Sequence, residues 1–97
     1  MSRQNAYAPG TRVRLYTEFV VDGDLTNPTD AVCEVIDPAG AHTTPTVASV
    51  STGVREAFVT AVLEGDWYYR WTGTGTAEGA AEGRFRVATS PFVPVVP

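Results

Sequence analysis

Short runs rich in Val, Thr and aromatic residues alternate along this chain with clusters of Gly, Pro, Asp and Asn. Within the runs apolar side chains recur at every second position, and the period of an amphipathic helix is almost absent. The clearest run, Thr11 to Val21, has one row of mostly apolar residues: Val13, Leu15, Thr17, Phe19 and Val21. Runs spaced by roughly 10–12 residues predict an all-β fold, an immunoglobulin-like antiparallel β-sandwich of about seven strands. A small closed barrel is the alternative architecture.

The length of the chain is that of a single small domain. Its 97 residues, 43% of them hydrophobic, are enough to bury a core without a metal or a disulfide. We divide the chain into an N-terminal arm over 1–10, the sandwich over 11–90 and an extended C-terminal arm over 91–97. Pro91, Pro94 and Pro97 recur at every third position of the last segment, which is the period of a polyproline II helix and not of a sheet.

The remaining strands are expected at 31–37, 42–50, 54–62, 67–72 and 84–89. Pro45 interrupts the second of these, which predicts an edge strand because proline cannot donate to a sheet ladder. Between the last two strands the segment 73–83, GTGTAEGAAEG, has little side-chain bulk to pack. We therefore predict that it is a mobile loop.

Three large rings fall on one face of the strand at 67–72, because alternate residues of a strand share a face. Rings of this size are expected to dominate the interior of a sandwich. The predicted core joins them to alternating residues of the other strands: Trp67, Tyr69, Trp71, Phe85, Val13, Leu15, Phe19, Cys33 and Val35. The alternative is an exposed platform, made of Trp67 and Trp71, that stacks on carbohydrate.

Residues with catalytic or metal-binding chemistry are few. Asp22, Asp24, Asn27 and Asp30 resemble the opening of a calcium loop, but the Gly and Glu that such a loop needs at its sixth and twelfth positions are absent. One His and one Cys are too few for a conventional zinc site. His42 is interpreted as an exposed loop residue. We predict no enzyme activity, no metal and no cofactor.

Two features predict contacts with other proteins. Four arginines lie on the outward rows of the first and last strands of the sandwich and would share one surface if those strands were neighbours: Arg12, Arg14, Arg84 and Arg86. Such a surface would dock an acidic partner, although solvated ion pairs are the simpler interpretation. The C-terminal arm presents four apolar side chains between its prolines: Phe92, Val93, Val95 and Val96. We predict that they dock onto a neighbouring subunit; the alternative is that the arm folds back onto its own sandwich.

The net charge and the N-terminal sequence limit the possible partners and the cellular location. A net charge of −4 argues against nucleic acid or an anionic membrane as partner. The first ten residues carry no apolar stretch of the kind that a secretory leader needs, so synthesis and retention in the cytoplasm are expected. All seven basic residues are Arg, which indicates a GC-rich genome such as that of an actinobacterium or one of its phages.

The order of motifs YAPGTRVRL, VCEVIDPAG, STGVREAFV and GDWYYRWTGTG resembles a family of small immunoglobulin-like phage structural proteins. The resemblance covers roughly Tyr7 to Val87 and departs at Arg55, where an aromatic residue is usual. It implies a virion component made in the host cytoplasm, in capsid decoration or head–tail joining. Its expected partners are capsid or connector subunits, with self-association as a further expectation. The alternatives are a carbohydrate-binding or adhesion module and a small cytoplasmic enzyme or inhibitor.

Overall fold

The computed structural model describes residues 6–88, and over that range the chain forms strands and no helix. In chain order the strands are β1 (Ala6–Tyr7), β2 (Thr11–Glu18), β3 (Val20–Val21), β4 (Asp24–Leu25), β5 (Asp30–Ile36), β6 (His42–Thr43), β7 (Ala48–Ser51), β8 (Val54–Ala61), β9 (Gly65–Thr74) and β10 (Gly79–Val87). No helix in this range is long and apolar enough to cross a membrane.

The strands form two main sheets and a small hairpin. One sheet has the order β1-β10-β9-β5-β6, the other has the order β2-β8-β7, and β3 pairs with β4. All pairs are antiparallel except β1 with β10, which is parallel. The two sheets have open edges and are not joined into a closed barrel. The all-β sandwich expected from the sequence is therefore confirmed.

The core lies between the two main sheets. Alternation places one row of each long strand inward, and the buried cluster consists of Val13, Leu15, Cys33, Val35, Ala57, Ala61, Trp67, Trp71, Phe85 and Val87. Tyr69 is half-buried and packs against this cluster. Phe19 is also buried, although it lies between β2 and β3.

The predicted mobile loop at 73–83 is wrong. β9 continues to Thr74 and β10 begins at Gly79, so a connection of only 75–78 separates them. Ala77 in that connection is 1% exposed, and Gly73 pairs directly with Gly79. Gly73 and Ala77 are buried in this hairpin, and composition alone does not distinguish such a hairpin from a loop.

The first predicted strand is shorter than its alternation indicates. β2 ends at Glu18, and the backbone of Phe19 turns to bond elsewhere: its N–H donates to Gly53 O at 2.7 Å and its carbonyl accepts from Thr26 N at 2.8 Å. The chain then forms the β3–β4 hairpin, where Val21 is exposed and not inward-facing.

The predicted bounds of the N-terminal arm and of the strand 42–50 are also wrong. Ala6 and Tyr7 of the predicted N-terminal arm form β1 and pair with Arg86 and Val87, so part of that arm belongs to the sandwich. The predicted strand 42–50 divides into β6 and β7, which lie at the edges of different sheets. Residues 89–97, which include the predicted C-terminal arm, lie outside the described residues.

Candidate functional site

The aromatic row of β9 lies inside the sandwich. Trp67 is 5% exposed and Trp71 is 1% exposed. Phe85 of β10 stacks on Trp67 with ring centroids 5.6 Å apart and an interplanar angle of 13°. The Trp67 indole N–H donates to the Leu63 carbonyl at 3.0 Å. Neither indole is available to stack on a sugar in this structure, which contradicts the platform interpretation of these two rings.

The outer face of β9 carries a shallow depression of about 340 Å³, lined by residues that include Tyr68, Arg70, Glu34 and Glu82. Each of its charged groups has an ion-pair partner, either in the lining or next to it. Arg70 Nη1 lies 3.5 Å from Glu82 Oε2, and His42 Nδ1 lies 2.7 Å from Glu34 Oε2. These residues are exposed or half-buried, and such solvated pairs contribute little to stability. The sequence interpretation missed this face because the three strands that build it are distant in the chain.

The two candidate reactive side chains do not meet. Cys33 is fully buried in the core, and burial raises its pKa from 9.0 to about 11, so the thiolate is disfavoured. His42 is exposed and contacts Glu34, whose side chain points to the opposite face of β5 from Cys33. No group of three or more His, Cys, Asp or Glu residues within 6–88 is arranged to hold a metal ion.

The acidic cluster that resembles a calcium loop belongs to a hairpin. Asp22 and Gly23 connect β3 to β4 with positive φ angles of 51° and 86°, as a type I′ turn requires. Asp30 Oδ1 accepts from the Ala31 N–H at 3.1 Å at the start of β5. Asp22 thus occupies a turn position, and Asp30 hydrogen-bonds to the neighbouring backbone.

The predicted patch of four arginines does not form. Arg12 and Arg14 lie on β2, whereas Arg84 and Arg86 lie on β10, and these strands belong to different sheets. The outward faces of two stacked sheets point in opposite directions, so the two pairs cannot share one surface. Alternation fixed which side chains point outward, but it did not indicate which strands are neighbours.

The outer row of β2 is a charged surface whose side chains contact one another and β8. The Arg12 guanidinium lies over the Phe58 ring at 3.9 Å, and Arg14 Nε donates to Glu56 Oε1 at 2.6 Å. The Tyr16 hydroxyl donates to Glu18 Oε2 at 2.7 Å. That hydrogen bond is the main reason why the pKa of Tyr16 is raised. The row thus runs from basic to acidic along the strand.

Arg55, the departure from the family pattern, packs without disturbing the core. Its Nη1 donates to the carbonyls of Val54 and Ser51, at 3.0 and 3.3 Å, and its Nη2 donates to Asn27 Oδ1 at 3.2 Å. Asn27 Oδ1 also accepts from the Gly53 N–H at 2.8 Å. Arg55 therefore ties the β7–β8 turn to the segment before β5, a role that the sequence did not indicate.

Two stacked antiparallel sheets, one of which carries β1 as a parallel edge strand, define an immunoglobulin-like β-sandwich. Solved structures with this fold include the Lin-41 filamin domain, with a TM-score of 0.70 and 17% identity over 90% of this chain and 86% of that chain. A DUF4785 family protein from Legionella pneumophila subsp. pneumophila str. Philadelphia 1 matches with a TM-score of 0.65 and 17% identity, over 88% of this chain and 26% of that chain. At this identity the similarity establishes the fold alone.

No protein-family model matches the sequence. No curated protein matches it either.

Proposed function

We propose that this chain is a non-enzymatic structural component of a phage virion, acting in capsid decoration or head–tail joining through contacts with capsid or connector subunits. The observation that carries the proposal is the burial of the aromatic row. The side chains best suited to bind a small ligand, Trp67 and Trp71, are used to hold the two sheets together.

The reactive groups support a non-enzymatic role. Cys33 is buried with a raised pKa, and His42 is engaged with Glu34 on the opposite face of the same sheet region. A nucleophile needs a base within hydrogen-bond reach, and these two side chains are not so placed. Within residues 6–88 the exposed surface consists of charged residues on the sheet faces, open strand edges and scattered apolar side chains such as Val32 and Tyr68. In this proposal these surfaces contact other virion proteins.

Support for a virion in particular comes from the sequence. The motif order from Tyr7 to Val87 resembles the small immunoglobulin-like phage structural proteins, and the all-Arg basic composition is typical of GC-rich hosts and their phages. A folded domain with such surfaces suits a role in which it is held at fixed sites on a larger assembly.

The proposal is tested on particles. Virions released by the host that carries this gene are banded in a density gradient and analysed by quantitative mass spectrometry. The chain is expected in the particle band at a fixed ratio to the major capsid protein, and it should resist removal by washing in moderate salt. Recovery of the chain only in the soluble fraction of the lysate would contradict the proposal.

A further inference from the structure

β2 is an open edge of the three-stranded sheet. It is eight residues long, β8 pairs with one side of it, and no strand within residues 6–88 pairs with the other. Its eight residues pair with β8 without interruption. A long regular edge of this kind is a template for strand addition, and proteins usually protect such edges.

The other outer strands have features that discourage strand addition. β7 is four residues long, follows Pro45 and carries a register irregularity between Ser49 and Ser51. β1 covers one end of β10, whose remaining edge includes Gly79 and Gly83. β6 covers only the last two residues of β5. Among the described strands, β2 therefore offers the longest regular edge.

The two ends of β2 carry opposite charges that find no ion-pair partner among the described residues. The Arg12 guanidinium rests on the Phe58 ring, and the Glu18 carboxylate accepts from the Tyr16 hydroxyl. Both side chains lie on the same exposed row of the strand. They are about 20 Å apart along an extended strand, so they cannot pair with each other in one chain.

We infer that β2 pairs antiparallel with β2 of a second copy across a two-fold axis at Leu15. This register places Arg12 of each copy opposite Glu18 of the other, at two symmetric positions. It also places Leu15 opposite Leu15 and Val13 opposite Thr17 on the core side, so that both inner rows face the same way. Opposite charges directly across an antiparallel pair are stabilising.

Other registers fit less well. A shift by one residue would turn inner side chains of one copy outward relative to the other. A shift by two residues in one direction sets Arg14 against Arg14, which is a like-charge pair. The same shift in the other direction moves Arg12 opposite Val20, beyond the end of β2.

The dimer would join two three-stranded sheets into one continuous sheet with the order β7-β8-β2-β2-β8-β7. An edge-to-edge contact is smaller than an obligate interface, so a reversible dimer is expected. This inference goes beyond the proposed function, because β2 pairs in this way whether or not the chain is part of a particle.

The test is analytical ultracentrifugation of the full chain over a concentration series. The variants are Arg12→Glu, Glu18→Arg and the double charge swap, with Arg84→Glu on the other sheet as the control. Each single reversal sets like charges together at two positions and should weaken dimerisation about tenfold. The double swap restores opposite charges and should recover the wild-type dissociation constant, and the control should leave it unchanged.

Circular dichroism checks that each variant is folded. If a charge reversal does not fold, the neutral variants Arg12→Gln and Glu18→Gln take its place. A full chain that stays monomeric at all concentrations overturns the inference. Dimerisation that is insensitive to both reversals, or a double swap that fails to recover it, also overturns it.

Discussion

Cys33 occupies the centre of the core, and its chemistry is set by that position. It is 0% exposed on β5, opposite Trp71 of β9. Burial raises the pKa of its thiol from 9.0 to about 11, because the thiolate loses its hydration. The folded chain therefore keeps this proton over a pH range in which the unfolded chain releases it.

This shift predicts a loss of stability at alkaline pH. The contribution of the Cys33 thiol is fully present below pH 9.0 and is lost as the pH rises towards about 11. Urea unfolding of the wild type and of Cys33→Ala across this range measures it. As the pH rises, the free energy of unfolding of the wild type should fall relative to that of Cys33→Ala, by at most about 1.4 kcal/mol per pH unit. Curves that stay parallel would show that the thiol is not desolvated.

At the scale of single residues, alternation in the sequence predicted much of the core. It placed Val13, Leu15, Cys33, Val35 and Trp71 inward, because each lies in a run whose period of two is unbroken. The alternation did not predict the role of Arg55. Its guanidinium reaches backbone carbonyls of the β7–β8 turn and Asn27, and these partners come together only after the chain has folded.

At the scale of elements, the β9–β10 hairpin shows that composition alone does not distinguish a packed glycine-containing hairpin from a loop. Gly73 and Gly79 face each other across the hairpin, and neither has a positive φ. A Cβ at Gly73 would overlap the Phe19 ring and lie 2.7 Å from the Ala77 carbonyl oxygen, whereas a Cβ at Gly79 would meet nothing within 4 Å. Glycine is therefore needed at one position of the pair and not at the other.

The two glycines give a matched pair of variants. Gly73→Ala should lower the free energy of unfolding by about 1–3 kcal/mol, because Phe19 and the Ala77 carbonyl must both move. Gly79→Ala should change it by less than about 0.5 kcal/mol, or stabilise slightly through the lower entropy of the unfolded chain. Chemical denaturation measures both. Equal effects at the two positions would mean that the hairpin is not packed as described.

Sheet membership is the second element-scale property that the sequence did not provide. The period of two assigned Arg12, Arg14, Arg84 and Arg86 to outward faces, and the structure leaves all four exposed. It did not indicate that β2 pairs with β8 and β10 with β9. Strand pairing depends on contacts between distant segments, so one sequence reveals the face of a residue more readily than its neighbours.

For the whole molecule, the proposed virion role requires that the sandwich be attached to other subunits. Within residues 6–88 the buried cluster extends from Val13 to Val87. The last described residue, Ala88, donates its N–H to the Tyr7 carbonyl at 2.9 Å beside β1. The described part of the chain therefore ends beside β1, at one edge of the five-stranded sheet. The four apolar side chains of segment 91–97 lie outside the described residues, and their docking role remains a prediction.

Deletion of residues 91–97 should separate folding from assembly. The truncated chain is expected to melt within a few degrees of the wild type, because the deletion removes no residue of the described core. It should fail to enter particles when it replaces the wild type in a complementation assay, since burial of each apolar side chain against a neighbour contributes about 1.5–3 kcal/mol.

Two full-length variants separate the apolar side chains from the prolines. Incorporation should fail equally when the four apolar residues are changed to Ser: Phe92, Val93, Val95 and Val96. Changing Pro91, Pro94 and Pro97 to Ala keeps the apolar groups and should weaken incorporation less, because only the stiffness of the free segment is lost. Normal incorporation of the truncated chain would refute the docking role of this segment, and the virion proposal would then rest on the sheet faces and strand edges.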